Sequence, residues 1–169
     1  MKSFVRRTAI VGLMSLLALA AVAQQGKKAG VVEAADLKQL VPTNYYYDGQ
    51  VAPVQFRNSG AIRLDGGGVV VAGLVDNSGY SSDIAAKYQG FFITEKKITI
   101  GSSSLAPGQY GFGFSDGKFR IMDVGGNDIL QADQQMDDTL KRPVPLKITA
   151  DGSNYRLYAG KKYVVIQVK

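Results

Sequence analysis

The chain reads as an all-β protein with one or two short helices, a single-domain antiparallel β-sandwich or small β-barrel built from hairpins. Three observations predict this. The run "QYGFGFSDGKFRIMD" alternates apolar or small residues on both sides of Asp116-Gly117, the strongest short-range hairpin signal there is. Twenty glycines and five prolines punctuate the chain, mostly between short β-branched or aromatic runs. Only two stretches show helical spacing. Some eight to ten short strands joined by Gly-rich turns then close on one another as a sandwich or barrel.

The elements follow in order. Residues 1–23 hold Lys2, Arg6 and Arg7, an apolar run from Ala9 to Ala20 and the small-x-small sequence Ala21-Val22-Ala23, the three parts of a cleavable secretory signal peptide. The apolar run is shorter than the ~20 residues a spanning helix needs, so the mature chain is expected to have no membrane span and to be exported, to a periplasm or the extracellular space. Residues 24–30 are small, polar and basic, as in a flexible tether, and 31–169 form one β-rich domain. "VVEAADLKQLVP" sets Ala34, Leu37, Leu40 and Val41 on one helical face before Pro42. In "SSDIAAKYQG" Ser81 or Ser82 is the expected N-cap and Gly90 the expected C′ residue.

The Asp116-Gly117 turn predicts Phe114 opposite Phe119 and Phe112 opposite Ile121, with Gly111 and Gly113 on the other face beside Met122 and Arg120. Further hairpins are expected at "DVGGNDIL", near "RLDGGGVVVAGLV", and around Gly160-Lys161, where Leu157 faces Val164 and Tyr155 faces Ile166. "GFFIT" and "KITIG" read as strands, Pro107-Gly108 as a type II turn, and Pro143 and Pro145 as marks of an edge strand, since neither donates to a ladder.

"GFSDG" also fits the G-x-S-x-G pattern of esterases. That chemistry needs a strand-to-helix elbow and a histidine base, and the chain has no histidine. A Ser-Lys pair would need a buried lysine of lowered pKa, whereas Lys118 adjoins a hairpin tip. With neither histidine nor cysteine the common zinc, copper and haem sites are missing. "DNSGYSSD" and "DVGGND" lack the alternating ligands and terminal glutamate of a calcium loop; they read as a helix cap and a polar turn. No catalytic residue, cofactor or metal is therefore assigned, and the protein is read as a non-catalytic binding or structural module of a bacterial-type envelope or extracellular space. The alternative is a hydrolase of envelope or extracellular glycans whose two carboxylates meet only in the fold.

Two binding signals remain. Tyr45, Tyr46 and Tyr47 stand in a row, so both faces of an extended chain receive an aromatic: either Tyr46 faces one way and its neighbours the other, with one set in the core, or the run is a platform for stacking a sugar or peptide. Residues 141–169 hold seven bases and one acid, whereas 123–138 hold five acids and no base. Arg156, Lys161 and Lys162 of that basic end are candidate contacts for an anionic or carbohydrate envelope polymer, or for a protein partner, unless the acidic segment sequesters them. Three of the 20 Lys and Arg precede residue 24, leaving 17 against 14 Asp and Glu. So small an excess, in an exported chain, argues against nucleic acid as a partner.

Overall fold

The computed structural model describes residues 28–168; the expected signal peptide and the first part of the expected tether lie outside them. Strands β1 (Gly30–Val31), β2 (Asn44–Tyr47), β3 (Gln50–Arg63), β4 (Val69–Val75), β5 (Gly90–Thr94), β8 (Gly108–Ser115), β9 (Lys118–Met122) and β10 (Asp128–Asp133) form one sheet. The second sheet holds β6 (Ile98–Ile100), β7 (Ser103–Leu105), β11 (Gln135–Met136), β12 (Val144–Asp151), β13 (Asn154–Gly160) and β14 (Lys162–Val168). All pairings are antiparallel. The two sheets pack as a sandwich and do not close into a barrel.

Alternation along the strands builds the core. Phe92, Phe112, Phe119 and Ile121 of the first sheet meet Ile100, Leu105, Leu157 and Ile166 of the second, all fully buried. The opposite face of the first sheet is covered as well. Helix α1 (Ala34–Leu37), strand β2 and the residues flanking helix α2 (Ser82–Lys87) lay Leu37, Tyr45, Tyr47, Tyr80 and Tyr88 over Val71, Phe91 and Met122. Glycine makes that third layer possible. A Cβ at Gly113 would stand 1.8 Å from the Lys87 carbonyl oxygen, and one at Gly111 2.4 Å from the Tyr47 ring.

The four expected hairpins form. Phe114 pairs with Phe119 and Phe112 with Ile121, and Asp116 and Gly117 both have positive φ (52° and 74°), as a type I′ turn requires. Leu157 pairs with Val164 and Tyr155 with Ile166 across Gly160-Lys161. The prolines mark an edge as expected: β12, which contains Pro145, ends its sheet.

Several local expectations give way to tertiary contacts. The first helix spans only Ala34–Leu37, and Ser81 caps α2 without a side-chain hydrogen bond. Gly90 begins β5 rather than ending the helix, because a Cβ there would lie 2.1 Å from the Gly73 carbonyl oxygen. Gly108 lacks the positive φ of a type II turn; it opens β8 under the Tyr110 side chain, whose hydroxyl donates to the Ala106 carbonyl at 3.0 Å.

Candidate functional site

The three tyrosines alternate, and two of them belong to the interior. Tyr47 stacks on Tyr88 with centroids 3.8 Å apart, Tyr80 meets both edge-on, and the Tyr47 hydroxyl lies 3.1 Å from the Met122 sulfur. Burial, reinforced by the charges of Asp48, Asp123 and Asp128, pushes the Tyr47 hydroxyl up to about 12. Tyr45 stacks on Phe91 at 5.2 Å and donates to the Tyr110 carbonyl; burial raises its hydroxyl too. A platform of three rings is thus reduced to one. Tyr46 is 55% exposed and stands opposite Val51, which is 64% exposed.

Beside Tyr46 runs a groove of about 340 Å³. Asn44, Tyr45 and Tyr46 of β2 form one wall, Gln39 to Pro42 the other, and the cross-strand pair Ile93 and Gln109 completes the lining. Among the described residues no charged side chain lines it. What it presents is an aromatic face, apolar carbons and three amides, Gln39, Asn44 and Gln109, each able to donate and to accept. A larger cavity of about 590 Å³ shares Leu40 with it and sits against the Asp65–Gly68 turn. Two of the charged residues that line it are engaged internally: Arg63 bridges Asp36 at 3.3 Å, and the Glu95 carboxylate accepts the Val69 N–H at 3.0 Å.

The basic hairpin belongs to the second sheet, where Arg156 alternates with the core residue Leu157 and so faces outward. Arg156 donates to Asp151 at 2.8 Å, places its guanidinium 4.7 Å from the Tyr163 ring centroid, and reaches the Tyr158 hydroxyl at 3.4 Å. That hydroxyl donates to Asp137 at 2.9 Å. Hydrogen bonds from Thr139 and then Tyr158 hold the Asp137 carboxyl below its ordinary range. The acidic segment does return to the basic one, since β11 pairs with β14 and the Asp137 N–H donates to the Lys161 carbonyl. Three of its other acids are used elsewhere: Asp128 binds Arg120, Asp133 binds Lys118, and Asp123 accepts the Gly125 and Asn127 N–H groups of its own turn. Lys161 and Lys162 are half-buried, and no ion pair joins them among the described residues. Arg156, Lys161 and Lys162 therefore all belong to the β13–β14 hairpin of the second sheet, whereas Tyr46 lies on β2 of the first.

Ser115 ends a strand that turns into another strand, and its hydroxyl accepts the Arg120 Nε–H at 3.0 Å. An arginine is no base, and Lys118 is held by Asp133. The carboxyls with displaced pKa values, Asp76, Asp123 and Asp137, all move downward, chiefly through hydrogen bonds, opposite to what a glycosidase general acid needs.

Sequence reasoning missed the groove. Ile93 and Gln109 come together only through the β5–β8 pairing, for which the sequence holds no local signal. The β2–β3 hairpin had one, because Asp48-Gly49 repeats the Asp-Gly signature and both residues have positive φ. Comparisons with protein-family models, with curated proteins and with solved structures find no match to the chain.

Proposed function

We propose that the domain is a non-catalytic binding module of an exported protein and that its ligand contact is the groove beside β2, which takes an uncharged, extended stretch of a larger molecule. One observation carries this: next to a half-exposed tyrosine, residues from three separate parts of the chain converge on a cleft that no charged side chain among the described residues lines. Apolar lining with a few amides that fix orientation is the usual composition of a ligand site. An anionic ligand has less to recommend it. Arg156 of the basic hairpin is already satisfied by Asp151 and by the Tyr163 ring, which leaves Lys161 and Lys162 as point charges on flexible stems.

The test is a titration of ¹⁵N-labelled protein with a panel of neutral oligosaccharides and uncharged peptides. The expected result is that at least one probe moves the amide signals of Asn44, Tyr46, Ile93 and Gln109 together. Gln109→Arg, which puts a charge into the groove at an exposed position, should abolish those shifts. The double substitution Lys161→Glu, Lys162→Glu should leave them intact. Shifts centred on the Gly160-Lys161 turn, or none at the groove with any neutral probe, would refute the proposal.

A further inference from the structure

We infer that the groove is a strand-addition site, in which an extended, uncharged polypeptide segment pairs with the free edge of β2. This rests on the groove being the binding surface and goes on to name what it binds. The register of the hairpin decides which backbone groups are free. The Val54 N–H donates to the Thr43 carbonyl at 2.9 Å, so in the alternation of an antiparallel ladder the hydrogen-bonded pairs are Thr43/Val54, Tyr45/Ala52 and Tyr47/Gln50. Asn44/Pro53 and Tyr46/Val51 are then the non-bonded pairs. Pro53, which has no N–H to give, fits such a position, and its carbonyl turns the other way to accept the Asp76 N–H at 2.9 Å. It follows that the N–H and C=O of Asn44 and of Tyr46 point away from β3. No backbone or side-chain hydrogen bond within the described residues uses these four groups. The groove is lined by Asn44, Tyr45 and Tyr46 and by no residue of β3, which places it along that free edge.

Folded proteins blunt their sheet edges, because an open row of N–H and C=O groups recruits other chains. Four edges here follow the rule. Among them β10 carries Asp128 and Asp133 with a bulge between Asp128 and Leu130; β12 carries Pro145 with a bulge between Val144 and Lys147. Strands β1 and β7 are two and three residues long. The edge of β2 has no proline, charge or bulge. Beyond its end the Asp48 N–H is taken by the Val124 carbonyl at 2.8 Å, which stops the ladder there. That leaves the four residues of β2, about 13 Å at roughly 3.3 Å per residue, for an incoming strand. One set of its alternate side chains would descend toward Ile93 and Gln109 and the other would flank Tyr46, so both must be uncharged. Main-chain bonds then supply affinity and the groove supplies selectivity, which is how added strands are recognised in general.

The probe is a capped hexapeptide of alternating valine and threonine, with two derivatives N-methylated on one or the other set of alternate amides. Binding should slow amide exchange at Asn44 and Tyr46. One methylated derivative should lose at least about tenfold in affinity, about 1.4 kcal/mol, while the other binds as the parent does. The double substitution Lys161→Glu, Lys162→Glu, on the β13–β14 hairpin of the other sheet, should retain the peptide within about threefold, a small change on that same scale. Equal affinity of the two methylated derivatives, or peptide shifts without protection of Tyr46, would refute strand addition while the groove stands as a binding site. Shifts produced by neutral oligosaccharides and lost in Tyr46→Thr, with none from the peptide, would make the ligand a glycan. Silence from every probe would overturn both proposals.

Discussion

Replacing Gly113 by alanine tests how the third layer is held on the sheet. The Cβ would stand 1.8 Å from the Lys87 carbonyl oxygen, against about 3.4 Å for ordinary contact, so the end of α2 must retreat by about 1.6 Å. Backbone cannot yield as a flexible side chain can. The segment that must move is tied to β8 by three hydrogen bonds: Gln89 N–H to the Phe112 carbonyl at 2.8 Å, the Phe114 N–H to Gln89 Oε1 at 3.1 Å, and Gln89 Nε2 to the Phe114 carbonyl at 3.3 Å. Overpacking of a close-packed site costs about 1–3 kcal/mol, and each bond lengthened past usefulness adds about 1 kcal/mol. We expect Gly113→Ala to lose about 2–4 kcal/mol in urea-induced unfolding, with an unchanged denaturant slope. Gly117→Ala is the control. Nothing lies within 4 Å of a Cβ there, and only the left-handed backbone is strained, at about 1–2 kcal/mol. A Gly113→Ala variant within about 0.5 kcal/mol of the parent would refute the packing argument.

Ser115→Ala should cost less than about 1 kcal/mol, because Arg120 keeps Asp128 at 3.0 Å and Asp116 at 3.4 Å when the serine contact is lost; covalent capture of Ser115 by a fluorophosphonate would contradict the turn assignment. At alkaline pH the buried tyrosines set a limit. Tyr47 ionises near its ordinary value of 10.0 when unfolded but at about 12 when folded, so the neutral form is favoured by folding. The contribution is complete below pH 10 and is lost as pH rises toward 12. Tyrosinate absorbance from the buried rings should therefore appear together with unfolding in that window, and Tyr47→Phe should make the loss shallower. Titration of all nine tyrosines near pH 10 in a chain that stays folded would show that these rings are not enclosed.

The legible parts of the fold are those whose cause is local. Asp116-Gly117 announces its turn because two adjacent residues must adopt positive φ, and the alternating runs on either side then dictate the Phe114–Phe119 register. Pro145 announces an edge because a missing donor has one consequence wherever the strand lies. Gly90 misleads for the opposite reason. Following a short helix it satisfies the local rule for a C′ residue, but what requires it to be glycine is the Gly73 carbonyl of the neighbouring strand. "NYYYDG" is ambiguous in another way: three consecutive aromatics satisfy either choice of inner face, so alternation alone assigns neither. Tyr45 and Tyr47 face inward because Gly111 and Gly113, some 65 residues on, leave room for a layer above the sheet.

That same packing explains why the open edge of β2 is rigid enough to bind. An isolated hairpin is marginal in water, and a four-residue edge strand with nothing beneath it would fray. Here the alternate side chains of β2 are fixed from below by the Tyr47–Tyr88 stack, the Tyr45–Phe91 stack and the Tyr45 hydroxyl on the Tyr110 carbonyl. The turn is fixed from the side, since the Tyr80 hydroxyl donates to the Tyr47 carbonyl at 3.0 Å and reaches that of Gln50 at 3.3 Å. The conformational entropy of ordering the edge, about 1–2 kcal/mol per residue, is therefore spent when the domain folds. An incoming strand has only its own disorder to lose, and preordering of this kind raises affinity without adding a contact. The aromatic run thus serves binding through the two rings that are hidden, which hold Tyr46 and the backbone of Asn44 in an extended, hydrogen-bond-ready line.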